Sequence, residues 1–117
     1  NGGLKMNKYL RQITELILKV SKDEIDEIQF SKGNNKILLK LSILPMNCSL
    51  VFPAANEEGK AFSQEEFSKI CEIKKEKLKS FISRASEYKK LENRKKELEL
   101  EAKKVEEQMA EFRKNKK

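Results

Sequence analysis

Two hydrophobic rhythms alternate along this chain, a helical one at each end and a strand-like one between them. Met6, Tyr9, Leu10, Ile13, Leu16, Ile17 and Val20 recur at steps of three and four, which gathers them on one face of a helix, while Lys8, Arg11, Gln12, Glu15 and Lys19 fall on the other side. The spacing predicts a helix from about Asn7 to Val20. A helix of that length is marginal alone in water, so its apolar face needs a surface to dock on. Ser21 and Glu24 then have the spacing of a capping box, but the acidic run around them reads as a connection.

From Ile28 the period drops to two. Ile28 and Phe30 alternate with Gln29 and Ser31, and after Lys32-Gly33-Asn34-Asn35 the residues Ile37, Leu39, Leu41 and Ile43 share one face. Gly and Asn tolerate the backbone conformations of tight turns, so the two runs form a β-hairpin. Pro45 ends the second strand because it has no N–H to give to a ladder. Cys48, Leu50 and Phe52 alternate with Asn47, Ser49 and Val51, giving a third strand closed by Pro53. A sheet of this kind with one apolar face needs a cover, and the helical segments on either side are the candidates.

Ala54 to Ala61 is polar and contains Gly59; the next helix begins at Ser63. Ser63 and Glu66 have capping-box spacing, Phe62 and Phe67 stand where a hydrophobic staple belongs, and Glu65 and Glu66 suit the positive end of the helix dipole. Neither Gly nor Pro occurs after Gly59, so the helix is expected to run on to about Phe112, roughly 70 Å at 1.5 Å per residue. Its apolar stripe is broad at first (Phe67, Ile70, Cys71, Ile73, Leu78, Phe81, Ile82, Ala85) and narrows after Tyr88. Leu91, Lys95, Leu98, Ala102, Val105, Met109 and Phe112 step by four and three alternately, the spacing of a heptad coiled-coil seam. A local stammer is expected between Tyr88 and Leu91.

The fold class expected is therefore α+β: a short N-terminal helix, a three-stranded antiparallel sheet built as a hairpin plus a third strand, and a long C-terminal helix extending as a coiled coil. Residues 1–88 form the head and 89–117 the stalk and basic tail. The opening Asn1 to Lys5 reads as an appended remnant or the cut end of a longer chain, with Met6 as a natural start. The element order is similar to that of several families of small dimeric nucleoid-associated proteins and RNA-bound particle subunits; element order alone does not carry function, and no family is assigned.

Composition sharpens this picture. Within 117 residues, 38% are charged, well above the usual quarter, which suits a long solvated helix better than a compact enzyme. The net charge of +7 sits mainly at the two ends of the chain. Lys8, Arg11, Lys32, Lys36, Arg113, Lys114, Lys116 and Lys117 are the candidate contacts for a polyanion. No RNP-type aromatic run, zinc finger or basic region leading into a zipper accompanies them.

With 2 cysteines and 0 histidines, the chain holds neither an intrachain zinc site nor a Cys–His or Ser–His pair. The acidic cluster Asp23, Glu24, Asp26 and Glu27 lacks the glycine and the spacing of a calcium loop. Cys48 and Cys71 fall on apolar positions and read as buried, inert thiols. No Walker A loop or GxGxxG occurs, and no catalytic residue, metal ligand or cofactor is assigned. Without a stretch of 18 apolar residues, no membrane partner is expected, and a soluble, intracellular protein, cytoplasmic or nuclear, is. The expected function is that of a non-enzymatic interaction, adaptor or regulatory protein. It self-associates as a homodimer, or docks on a partner helix, through the C-terminal seam. The alternative is a dimeric basic nucleic-acid-binding protein, nucleoid-associated or regulator-like.

Overall fold

The structure is a computed structural model, described here for residues 2–21 and 23–114. Its elements are α1 (Gly2–Val20), β1 (Glu27–Gly33), β2 (Lys36–Ile43), β3 (Met46–Pro53) and α2 (Gln64–Lys114). The expected α+β order is present. α1 starts earlier than the periodicity requires, because Gly2 and Gly3 carry no helical signal of their own. The chain divides into two compact units, the first ending at Ala85 and the second beginning at Ser86.

The sheet is antiparallel in the order β1-β2-β3, so β2 is central. Its register sets Ile37 beside Phe52 and Leu39 beside Leu50, and Ile37, Leu39, Leu41 and Ile43 are all buried. Asn34-Asn35 closes the first hairpin, with Asn35 at φ 56°, a left-handed conformation that asparagine tolerates better than most residues. Leu44-Pro45, joined by a cis peptide bond, closes the second. There the carboxylate of Asp26 accepts a 2.8 Å hydrogen bond from the Leu44 N–H, linking the approach to β1 with the far hairpin.

β1 departs from the simple pattern. Its register places Ile28 opposite Leu41 and Phe30 opposite Leu39, on the core side of the sheet. Yet Ile28 is 43% and Phe30 38% exposed. The buried core draws its side chains from α1, β2, β3, Ala54 and α2, so the helices cover the β2–β3 side and leave the β1 edge bare.

α1 and the first turns of α2 lie side by side and run in the same sense. The Tyr9 hydroxyl donates to the Phe62 carbonyl oxygen, and Gln12 Nε2 donates to the Gln64 carbonyl at 3.1 Å. Further along, Gln12, Glu15 and Lys19 of α1 line one groove with Ser68, Glu72 and Lys75 of α2. Phe67 stands at the junction, its ring centroid 4.4 Å from Tyr9 and 6.1 Å from Phe52. From there α2 buries Cys71, Leu78, Phe81, Ile82 and Ala85. Ile73, assigned to the same stripe from its spacing, faces solvent instead.

The polar connection before α2 is well bonded. Asn56 Oδ1 accepts from the N–H groups of Glu58 and Lys60, and Gly59 adopts φ 84°, open to glycine at no steric cost. The start of α2 carries the reciprocal box expected from its sequence. Glu66 N–H donates to Ser63 Oγ at 3.1 Å, and Ser63 N–H donates to Glu66 Oε1 at 2.9 Å. Those Ser63 hydrogen bonds, chiefly the backbone one, hold the Glu66 carboxyl below the usual carboxylate range.

Two outcomes follow from this packing. Phe67→Ala leaves a hole among three elements and should cost about 3–5 kcal/mol in urea unfolding; a loss below about 1 kcal/mol would show that Phe67 is not the junction. The depressed pKa of Glu66 gives a stabilising contribution that is present above the unfolded-state value and lost as pH falls through the folded one. Urea midpoints of wild type and Glu66→Gln should therefore differ near about pH 7 and converge near about pH 2.

Candidate interaction surface

The second unit is a stretch of helix whose apolar side chains have no cover within that unit. Tyr88, Leu91, Leu98, Val105, Met109 and Phe112 are between 43% and 79% exposed. These residues, with Lys95 and Ala102, keep an uninterrupted alternation of three and four. From Ala85 the steps to Tyr88 and then to Leu91 are both three, the break in alternation expected where the broad stripe meets the narrow one. The step from Tyr88 to Leu91 is three, which is the in-register step before the four from Leu91 to Lys95, so Tyr88 extends the seam by one position. Lys95 and Ala102 are exposed at their seam positions. Leu100, also exposed, lies off the seam. Beside the seam Arg94 and Glu97 approach to 4.0 Å within the same helix, both largely exposed.

The basic residues are scattered over several elements. Lys8 and Arg11 are exposed on α1, and Lys32 and Lys36 are exposed at the ends of β1 and β2. The aliphatic stem of Lys36 lies over Gly33, where an added Cβ would meet it at 3.1–3.2 Å. Lys8 shares a cleft of about 410 Å³ with Lys60, Phe62 and Glu66, so a carboxylate stands among its cations. Arg113 and Lys114 form the last described turn of α2, in the other unit, and Lys116 and Lys117 lie outside the described residues.

The acidic cluster is used structurally. Ser21 Oγ donates to Glu24 Oε2 at 3.1 Å, Gln29 Nε2 donates to Glu27 Oε1 at 2.8 Å, and Asp26 holds the Leu44 N–H. Among the described residues no group of three or more His, Cys, Asp or Glu is arranged to hold a metal ion. On the face of the sheet away from the helices, Glu27, Gln29, Lys40, Ser42, Asn47 and Ser49 line a shallow hollow of about 290 Å³. Ser42 Oγ donates to Asn47 Oδ1 at 2.8 Å there, so two of its polar groups satisfy each other. Period-two alternation marks this face as polar but carries no information about its curvature.

Cys71 is buried and Cys48 half-buried, and neither forms a disulfide. Burial, and then the nearby Glu72 carboxylate, push the Cys71 thiol up to about 11. Burial also raises Cys48, against the lowering effect of Arg84 and Lys77. No described helix is long and apolar enough to cross a membrane.

Comparison with protein-family models, with curated proteins and with solved structures finds no match.

Because only the thiolate attacks, Cys71 should react with iodoacetamide at about pH 8 on the order of 100-fold more slowly than a free cysteine. Its rate should climb as pH approaches 11. Labelling as fast as that of glutathione, followed by peptide mass spectrometry, would contradict the buried-thiol assignment.

Proposed function

We propose that this chain is a non-enzymatic interaction protein, in which an α+β head serves as a recognition module and the helix from Tyr88 to Phe112 docks on a second helix as a coiled coil. One observation carries the reading: apolar side chains at uninterrupted heptad spacing stand exposed on a helix whose other positions are mostly charged. Full burial of a Leu, Val, Met or Phe side chain is worth about 1.5–3 kcal/mol, so Leu91, Leu98, Val105, Met109 and Phe112 together offer on the order of 10 kcal/mol to a partner. Without one, each ordered residue costs about 1–2 kcal/mol of backbone entropy, offset mainly by helical hydrogen bonds. An unpartnered strand of this composition is marginal, and a second helix along the seam is the simplest remedy. The nucleic-acid reading draws less support, because its basic residues are spread over α1, both arms of a hairpin and a separate unit.

Hydrogen exchange tests the proposal. In dilute protein, amides of residues 91–112 should exchange far faster than those of 67–85, and they should gain protection when a helix docks. Leu98→Asp should abolish that gain while leaving the head's unfolding free energy within about 0.5 kcal/mol of wild type. Equal protection of both stretches in a dilute monomer, unchanged by Leu98→Asp, would mean the helix needs no partner and the proposal is wrong.

A further inference from the structure

The seam has flanks, and their charges discriminate between occupants. With Tyr88, Lys95, Ala102 and Met109 at a and Leu91, Leu98, Val105 and Phe112 at d, the g positions are Glu87, Arg94, Glu101 and Gln108. The e positions are Glu92, Glu99, Glu106 and Arg113. Five of these eight are glutamates and two are arginines.

In a parallel pair each g residue meets the e residue five positions further along the other helix. A second copy would therefore set Glu87 against Glu92 and Glu101 against Glu106, each repulsive and each occurring twice by symmetry. Arg94 against Glu99 is attractive, but Arg94 already lies 4.0 Å from Glu97 in its own helix. Gln108 against Arg113 is neutral on one side. In the core, Lys95 would face Lys95. An antiparallel pair sets e against e and g against g. Three of its four e residues are glutamates, and Glu101 meets Glu101 where the two seams are centred on each other. Lys96 and Lys103 stand one turn on from Glu92 and Glu99 and soften this field, but they sit at b positions on the outer flank and cannot reach across the seam.

Resting on the coiled-coil reading above, we infer that the seam is built for a heterotypic partner: a helix with apolar a and d positions, Lys or Arg along its e and g flanks, and an acidic side chain at the layer of Lys95. Like charges at the flanks act as negative design against a second copy, while the same glutamates attract a basic-flanked helix. The seam's burial supplies affinity for either occupant, and the flanks choose between them.

The full chain tests this against a charge-swapped copy of itself, carrying Glu87→Lys, Glu92→Lys, Lys95→Glu, Glu101→Lys and Glu106→Lys. Arg94 and Glu99 are kept, since they attract in every parallel combination. At about 10 µM protein and about 50 mM salt, where screening is weak, light scattering should give each copy alone the 13.6 kDa mass of one chain. An equimolar mixture should give twice that, with association at least about ten-fold tighter than either copy shows with itself. Wild type by itself needs no variant and offers a second measurement: raising salt to about 1 M shortens the Debye length to about 3 Å and should strengthen its self-association.

A wild-type dimer at low salt that Leu98→Asp dissociates overturns the heterotypic inference and leaves the coiled-coil reading standing. A mixture that stays monomeric while dilute wild type exchanges rapidly along 91–112 overturns the inference as well, because charge then does not choose the occupant. Protection of those amides in the isolated monomer removes the coiled-coil reading itself, and the inference with it.

Discussion

The ring of Phe67 lies 4.4 Å from that of Tyr9 and 6.1 Å from that of Phe52, so one side chain joins the first helix, the last strand and the start of the second helix. A packed unit ending near residue 85 is close to the size at which a single core barely suffices, and its two cysteines are not joined by a disulfide. α1 owes most of its stability to docking its apolar face, and its polar links, from Tyr9 to the Phe62 carbonyl and from Gln12 to the Gln64 carbonyl, also end at this junction. The Ser63–Glu66 box fixes where α2 begins, which places Phe67 at the junction. Local capping and long-range packing therefore agree on the same few residues, a consistency expected of a sequence that specifies one structure.

That arrangement has a consequence on the sheet. Two helices side by side cover β2 and β3, and among the described residues the core cluster takes no side chain from β1. Ile28 and Phe30 face the core side and stay accessible at an open edge. Edges of this kind are commonly blunted by charge and by shortness. Here the strand, at 7 residues, is not short, and the charges of Glu27 and Lys32 bracket the pair.

The distal helix poses a different problem, because its apolar residues stand exposed at heptad spacing, and we propose a second helix as their cover. Burial along such a seam is nearly indifferent to who supplies the second helix, since leucine packs as well against one apolar partner as another. Flanking charges are not indifferent. Each is worth little in water, yet several arranged with one sign along one line separate occupants that burial alone treats alike. The unevenness of charge along the chain thus matters more than its sum. A net +7 suggests attraction to anions, whereas the flanks of the seam are acidic.

Much of this architecture was legible in the residues themselves. Period-3.6 and period-2 spacing, Asn34-Asn35, Pro45 and the Ser63–Glu66 box locate all the elements, because each rests on contacts within a few residues. The heptad spacing from Leu91 to Phe112 was legible for the same reason. Two features were decided only in three dimensions. Ile28 and Phe30 have the alternation of a buried strand, and their exposure depends on where two helices land. Cys48, which reads as buried like Cys71 from its apolar position, is only half-buried, a property of surroundings rather than of spacing. Local sequence sets which face of an element is apolar; the number and placement of the elements that arrive set which apolar faces are covered, and that is a property of the whole chain.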